Sequence, residues 1–301
     1  MNESPPFARI MACAALSPQL PLLVREAARL AAACKSELIF LHVGESSPAL
    51  RRAIESALEP IHPSVVSSLS PDGSGPRIVS VSGPPDKVIV KQAAALGADL
   101  IFAGALQEDP AIRGVIGSVA RRIARQADRS VYLSIHQFPA DRLIRTMVVA
   151  VNFDEVSAAM LQTAVAFATI VEVEKLHVVH EYDSYSVGLT DAAGSGGARR
   201  VALERQRQMA ERVQMANFLE NQNLSGPELV TACLQGRDGA ETLSYAERHA
   251  ADLLVSPGPR RRLGLLDRFF GHPTETLLQR FPCSVLLYRP PLGRTQDQPN
   301  A

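Results

Sequence analysis

Leu38-Ile39-Phe40-Leu41-His42-Val43 is an apolar run broken only by its histidine, and a similar run, Leu176-His177-Val178-Val179-His180, stands in the other half of the chain. The same succession precedes each of them. In the first half, Ile10-Met11-Ala12-Cys13-Ala14-Ala15 leads into a helical pattern from Pro18 to Cys34. In the second, Met147-Val148-Val149-Ala150-Val151-Asn152 leads into one from Glu155 to about Val171. The tripeptide Leu-His-Val recurs at 41–43 and 176–178, which makes His177 the expected counterpart of His42. Further on, Gly104, Gly117 and Val131 recur as Gly258, Gly271 and Val285 at a wider common spacing. Such self-similarity marks an internal repeat, and the repeat governs the architecture. The widening places an insert in the second copy near 182–199, where Thr190-Asp191-Ala192-Ala193-Gly194-Ser195-Gly196-Gly197 is small, polar and flexible.

Each copy alternates short apolar runs with amphipathic helical stretches. The expected strands of the first are Arg9–Ala15, Glu37–Val43, Arg77–Val81, Leu100–Gly104 and Ser130–His136. Those of the second are Thr146–Asn152, Lys175–His180, Leu229–Leu234, Asp252–Ser256 and Ser284–Arg289. Strands apolar throughout belong to sheets covered on both faces. Helices between successive strands make the units parallel βαβ with right-handed crossovers. The expected fold is therefore α/β, two tandem doubly wound five-stranded parallel-sheet domains. The first domain spans 7–137, a linker 138–145, the second domain 146–290 and a polar, Pro-rich tail 291–301.

Composition agrees with this and narrows the partners. The 301 residues carry 31 basic and 31 acidic side chains, so there is no net charge to serve a general nucleic-acid or anionic-membrane binder. No apolar run approaches the ~18 residues of a membrane helix, and the start of the chain lacks the basic region of a signal peptide. A cytoplasmic protein is expected. Cys13, Cys34, Cys233 and Cys283 are scattered without metal-ligand spacing and read as small hydrophobes in a reducing compartment. His177 and His180 fall on opposite faces of a strand, which is wrong for a shared metal. The stretch Arg199 to Asn223 reads as a long charged helix with Val201, Met209, Val213, Ala216 and Leu219 on one core-packing face. Following a Gly-rich insert, it is also the place for a mobile lid or docking element.

Ligands of doubly wound sheets lie beyond the carboxyl ends of the strands, so the turn after the fourth strand is the segment to inspect. In the first copy Gly104-Ala105-Leu106-Gln107 is followed, after nine residues, by Gly117-Ser118-Val119-Ala120 opening a helix. Glycine allows close backbone approach to an oxyanion, and a helix start offers free N–H groups and a positive dipole end. On these residues alone, an ordinary helix entry capped at Gly117-Ser118 is the favoured reading.

The strand pattern, the Leu-His-Val ending of strand two, Ala98-Asp99-Leu100-Ile101 and the Gly104…Gly117-Ser118 spacing together resemble the universal stress protein family. The second copy resembles it through Ala251-Asp252-Leu253-Leu254, Gly258, Gly271 and Phe281-Pro282-Cys283-Ser284-Val285-Leu286-Leu287. The resemblance implies a Rossmann-like sheet of the adenine nucleotide α hydrolase-like type. One branch of the family binds ATP through G-x-x-G, nine residues and G-S or G-T, with an aspartate at the end of strand one. Carried over, the cofactor-binding positions are Val43, Gly104, Gly117 and Ser118 in the first copy, and Asn152, Val178, Gly258, Gly271 and His272 in the second. The match is incomplete. Gln107 and Arg261 replace the second glycine, Ala15 and Asn152 the aspartate, and His272 the serine. Arg260-Arg261-Arg262 could compensate as phosphate partners or be a solvated charge run.

The leading reading is a stress-response regulatory or binding module with degenerate nucleotide sites, no catalytic residues and no metal. Its two domains are expected to pair as an intrachain pseudo-dimer through their fifth strands, with further homo-oligomerisation and a regulated protein partner. The alternative is a genuine switch binding ATP or another adenine nucleotide in one domain. An adenine-nucleotide-dependent enzyme is the remote third, since no base, nucleophile or metal ligand is evident.

Overall fold

The computed structural model describes residues 5–105, 116–135, 144–183, 196–259 and 281–291. The first repeat runs β1 (Arg9–Cys13), α1 (Leu20–Ala33), β2 (Glu37–Val43), α2 (Pro48–Leu58), α3 (Pro63–Ser67), β3 (Arg77–Val81), α4 (Pro85–Ala95), β4 (Leu100–Gly104), α5 (Ser118–Gln126) and β5 (Ser130–Ser134). The second runs β6 (Thr146–Ala150), α6 (Glu155–Ile170), β7 (Lys175–Tyr182), α7 (Gly196–Glu220), β8 (Glu228–Gln235), α8 (Ala240–Arg248), β9 (Leu253–Pro257) and β10 (Ser284–Tyr288). The α/β class and the two five-stranded parallel halves expected from the sequence are present.

The two halves are one sheet. Its ten strands follow the order β3-β2-β1-β4-β5-β10-β9-β6-β7-β8. All neighbours are parallel except β5 and β10, which pair antiparallel at the centre with Val131 opposite Leu287 and Leu133 opposite Val285. Two serines repeat the seam symmetrically: the Ser130 Oγ accepts from Arg289 N at 3.0 Å, and the Ser284 Oγ accepts from Ile135 N at 3.3 Å.

Alternation along these strands divides the interior into two layers. Ile10, Phe40, Phe102, Val149, Val178 and Leu286 face α1, α2, α3, α6 and the end of α7. Met11, Leu41, Ile101, Val148, Val179 and Leu287 face α4, α5 and α8. Both layers run unbroken across the seam, and Phe7 meets Phe167 edge-on at 6.3 Å between the domains. Burial pushes the thiols of Cys13, Cys34 and Cys283 up to about 12, which suits small apolar side chains rather than nucleophiles.

The strand ladders align the copies residue by residue and correct the sequence match. Cys13 pairs with Leu41 in the first copy and Ala150 with Val179 in the second, so His42 corresponds to His180, not His177. Val43 therefore corresponds to Glu181, and Ala15 to Asn152. Likewise Gly104 lies opposite Ser134 as Pro257 lies opposite Tyr288, so Gly258 occupies the place of Ala105. Apolar strands look alike in any register; the hydrogen-bonded partner removes the ambiguity.

The same local devices recur at matched positions. Asp99 accepts from the N–H groups of Ala8 and Arg9 at 2.9 and 3.0 Å, and Asp252 from those of Arg145 and Thr146 at 2.7 and 2.9 Å. These carboxylates anchor the start of strand one from the start of strand four in each copy. Gly97 and Ala250, which close α4 and α8, are both left-handed, with φ of 62° and 47°.

The inward face of α7 differs from the expected one. Val201, Met209 and Val213 are 47%, 70% and 52% exposed, and Ala216 is exposed as well. Glu211 and Met215 are buried instead, with Phe218 and Leu219 against the core. The buried face is polar in its middle because Glu211 meets His180 and Arg207 there.

Candidate ligand-binding site

The carboxyl ends of β1, β2 and β4 and the start of α5 enclose a cavity of about 690 Å³ in the first domain. That volume suits a small organic ligand. β1 contributes Cys13, followed by Ala14 and Ala15; β2 contributes Leu41, His42 and Val43; Ala103 and Gly104 close β4. Leu20 and Leu23 of α1, Ile89 of α4 and Val119, Ala120 and Ile123 of α5 complete a largely apolar wall. Ser17, Gln19, His42, Ser118 and Arg121 are its polar side chains, and no carboxylate lines it among the described residues.

Gly117 has ordinary helix-entering backbone angles, φ −58° and ψ 146°, and donates its N–H to Ala105 O at 2.9 Å. A Cβ added there would meet only that oxygen, at 3.8 Å. Neither backbone conformation nor internal packing requires glycine at this position. Ser118 opens α5, whose first N–H groups have no intrahelical acceptors and mark the positive end of the helix. One turn on, Arg121 donates through Nη2 to Ile116 O at 3.0 Å, while its buried Nε has no hydrogen-bond partner among the described residues. On the opposite wall, the His42 Nδ1 lies 3.0 Å from Ala14 O, which fixes the ring at the strand end.

The cavity thus brings Val43, Gly104, Gly117 and Ser118 together. Sequence reasoning did not single out Arg121 or His42 as lining residues. Arg121 repeats on α5 one turn beyond Ser118, a helical spacing that could have flagged it.

The corresponding place in the second domain is built differently. His180 repeats the contact of His42, with Nδ1 2.8 Å from Val151 O, but its Nε2 lies 3.4 Å from the Glu211 carboxylate of α7. Phe153 covers the ring at 4.1 Å between centroids. Asn152 is exposed and donates its N–H to Ser157 Oγ at 2.9 Å. Val178 is fully buried inside the sheet, three residues short of the strand-end position, so its side chain belongs to the core. Glu181 holds that strand-end position instead. Its carboxylate accepts from Gly239 N, Thr242 N and Thr242 Oγ1 at 3.1, 2.9 and 2.8 Å, capping α8. Gly258 lies against Arg289, where a Cβ would come within 2.8 Å of the guanidinium carbon. Gly271, His272 and Arg260 to Arg262, like Gln107 of the first copy, lie outside the described residues.

Among the described residues, no group of three or more His, Cys, Asp or Glu could hold a metal ion, and no helix is long and apolar enough to cross a membrane.

Two doubly wound five-stranded halves joined in one sheet define the class as a tandem α/β protein. The chain belongs to the universal stress protein family, whose model matches residues 6–134 and again 143–289. Solved structures share the fold over both domains. A functionally unknown protein from Pseudomonas aeruginosa PAO1 has 16% identity and a TM-score of 0.69, covering 94% of this chain and 93% of its own. A putative universal stress protein from Pseudomonas aeruginosa UCBPP-PA14 has 16% identity and a TM-score of 0.69, with 94% of each chain covered. A universal stress protein from Archaeoglobus fulgidus DSM 4304 has 16% identity and a TM-score of 0.59, covering 94% and 98%. No curated protein matches by sequence.

Proposed function

We propose that the chain is a non-catalytic regulatory module whose first domain takes an adenine nucleotide, while the second has given the same place to its own side chains. One observation carries this: the 690 Å³ cavity gathers Gly104, Gly117, Ser118 and Arg121 at a helix start, and the buried Arg121 Nε has no partner among the described residues. A phosphate there would meet the free N–H groups and the guanidinium, and the apolar wall would take a flat base. In the second domain His180, Phe153 and Glu211 occupy one another, and Glu181 is spent on α8. The two domains act as an intrachain pseudo-dimer in the cytoplasm, and a partner protein responds to occupancy.

Thermal denaturation with millimolar ATP tests the reading. A ligand at about 100 times its dissociation constant stabilises by about 2.7 kcal/mol, seen as a raised melting temperature. Gly117→Val should abolish the rise without unfolding the chain, because the nearest contact to a Cβ is an ordinary one. That no carboxylate stands among the described residues of the cavity wall favours a second reading, a partner-binding module without nucleotide. An unchanged melting temperature with ATP, and no nucleotide released from the heat-denatured protein, would select it.

A further inference from the structure

α7 follows the second strand of its domain as α2 does, yet it has 25 residues against 11 and carries its amphipathic pattern reversed. In α2 the apolar Leu50, Ile54, Ala57 and Leu58 are buried, and Arg51, Arg52 and Glu55 face out. In α7 the inward side is taken by Glu204, Arg207 and Glu211, and only the last turns bring Met215, Phe218 and Leu219 to the core. The outward side carries Ala202, Met209, Val213 and Ala216, which the helical period gathers into one band. Met209 and Val213 are 70% and 52% exposed, and no described residue covers them. The apolar face is therefore turned away from its own domain.

The band is edged by charge on one side only. Arg205 and Arg212 stand one heptad apart along one edge, both exposed and neither in a hydrogen bond or ion pair among the described residues. Gln206 and Asn217 line the other edge. Glu204 and Glu211 lie inward, which leaves Glu220, at the helix end, as the only acid of α7 on this side.

Charge selects the occupant. A second copy would bring two more arginines to the band and only Glu220 to meet them. An anionic bilayer favours a broad face of bulky apolar side chains. This band is narrow instead, and its alanines permit the close approach of another helix. We propose that the outward face of α7 is the docking surface for an acidic amphipathic helix of a partner protein, with Met209 and Val213 as the apolar contacts and Arg205 and Arg212 as the partners of its carboxylates. This rests on the regulatory-module reading and gives its partner a place, but it needs no nucleotide in the first-domain cavity.

Fluorescence anisotropy on the full chain without nucleotide tests it. The probes are a labelled peptide of about three heptads with leucine at both core positions and glutamate at the flanking ones, and its lysine counterpart. The glutamate peptide should bind at least tenfold more tightly than the lysine peptide. M209Q/V213Q should weaken it about tenfold with an unchanged melting temperature, because both side chains are exposed. R205E/R212E should reverse the preference, so that the lysine peptide binds the variant more tightly, a gain that damage to the fold would not produce. Equal affinity for the two peptides, no binding of either, or binding unaffected by M209Q/V213Q overturns the proposal. Sedimentation with phosphatidylserine vesicles that M209Q/V213Q abolishes would give the face to a membrane and overturn it. A dimer seen in analytical ultracentrifugation and abolished by the same variant would give it to a second copy, with the same consequence. Each of these outcomes leaves the nucleotide reading to its own thermal test.

Discussion

Tyr132 of β5 stands directly opposite Leu286 of β10, and the two occupy the same position in their respective repeats. The local twofold axis of the molecule passes between them. Symmetry of the backbone is not symmetry of the chemistry. Tyr132 stacks on Phe102 at 4.7 Å and donates its hydroxyl to the buried Glu26 carboxylate at 3.1 Å, while Leu286 only packs. Once two copies lie in one chain, each is free to diverge at positions that a homodimer would have to hold identical.

Arg289 is one such divergence, with Ile135 in its place in the first copy. Its guanidinium donates to Ala124 O, Pro259 O and Arg129 O at 2.6, 3.3 and 3.3 Å, tying the second domain to the end of α5. Arg289→Ala should cost about 2 kcal/mol in urea unfolding, since hydrogen bonds to a charged group are the stronger kind. Gly258→Ala should destabilise the native chain by clashing with the pinned guanidinium, and be close to neutral in the Arg289→Ala background. Equal effects in both backgrounds would remove this contact as the cause.

Asp99→Ala and Asp252→Ala each free two backbone N–H groups at the start of a strand. Each should lower stability by about 1–2 kcal/mol. The sites share no partner among the described residues, so the double variant should show the sum of the two losses if the molecule unfolds as one unit. Denaturant midpoints of the single and double variants provide the check.

Glu181→Ala should loosen α8 locally, because its carboxylate caps that helix through three donors. The cost is about 1 kcal/mol, typical of a lost N-terminal cap. Hydrogen exchange should quicken over Ala240–Arg248 and remain unchanged over α4, the matching helix of the first copy.

Ala250→Gly should stabilise the protein. Ala250 sits at φ 47°, where Gly97 serves the first copy at 62°, and a left-handed alanine costs about 1 kcal/mol relative to glycine. The substitution should raise the melting temperature, by about 2–4 °C for a domain of this size. A fall would place the strain elsewhere.

His177 should make the fold acid-sensitive. Burial, then the proximity of His249 and of Lys175, holds its pKa below the ordinary 6.5, and its Nδ1 lies 3.0 Å from the Tyr245 hydroxyl. The unfolded chain takes up the proton first as pH falls. The stability tied to neutral His177 is complete above the unfolded value and is lost as pH drops through the folded one. The melting temperature should fall between pH 7 and pH 5, less steeply in His177→Gln. An identical slope in that variant would assign the acid sensitivity to other groups.

Much of the fold was legible because burial on both faces leaves a plain mark in sequence. Glu37–Val43, Arg77–Val81 and Leu100–Gly104 have the boundaries expected from their apolar runs, and β1 and β5 start where predicted. Of the candidate site, Gly104, Gly117 and Ser118 were marked by their spacing together with the family resemblance of the strands around them. Arg121 was hidden among the other arginines of α5, because what distinguishes it is a buried Nε with no partner among the described residues.

Periodicity and repetition in the sequence determined that there would be two parallel five-stranded halves, since wholly apolar strands separated by helices belong to parallel sheets covered on both faces and the strand set occurs twice. Register was decided in three dimensions. The resemblance of Leu41-His42-Val43 to Leu176-His177-Val178 pointed to the wrong histidine, and only the pairing of Ala150 with Val179 put His180 beside the position of His42. The outward face of α7 was decided there as well, by the Glu211–His180 contact that outweighs its apolar stripe. Side-chain pattern carries the burial of a strand, but not which residue of its neighbour it meets. Backbone hydrogen bonds fix that choice, and which side chains line the first-domain cavity follows from it.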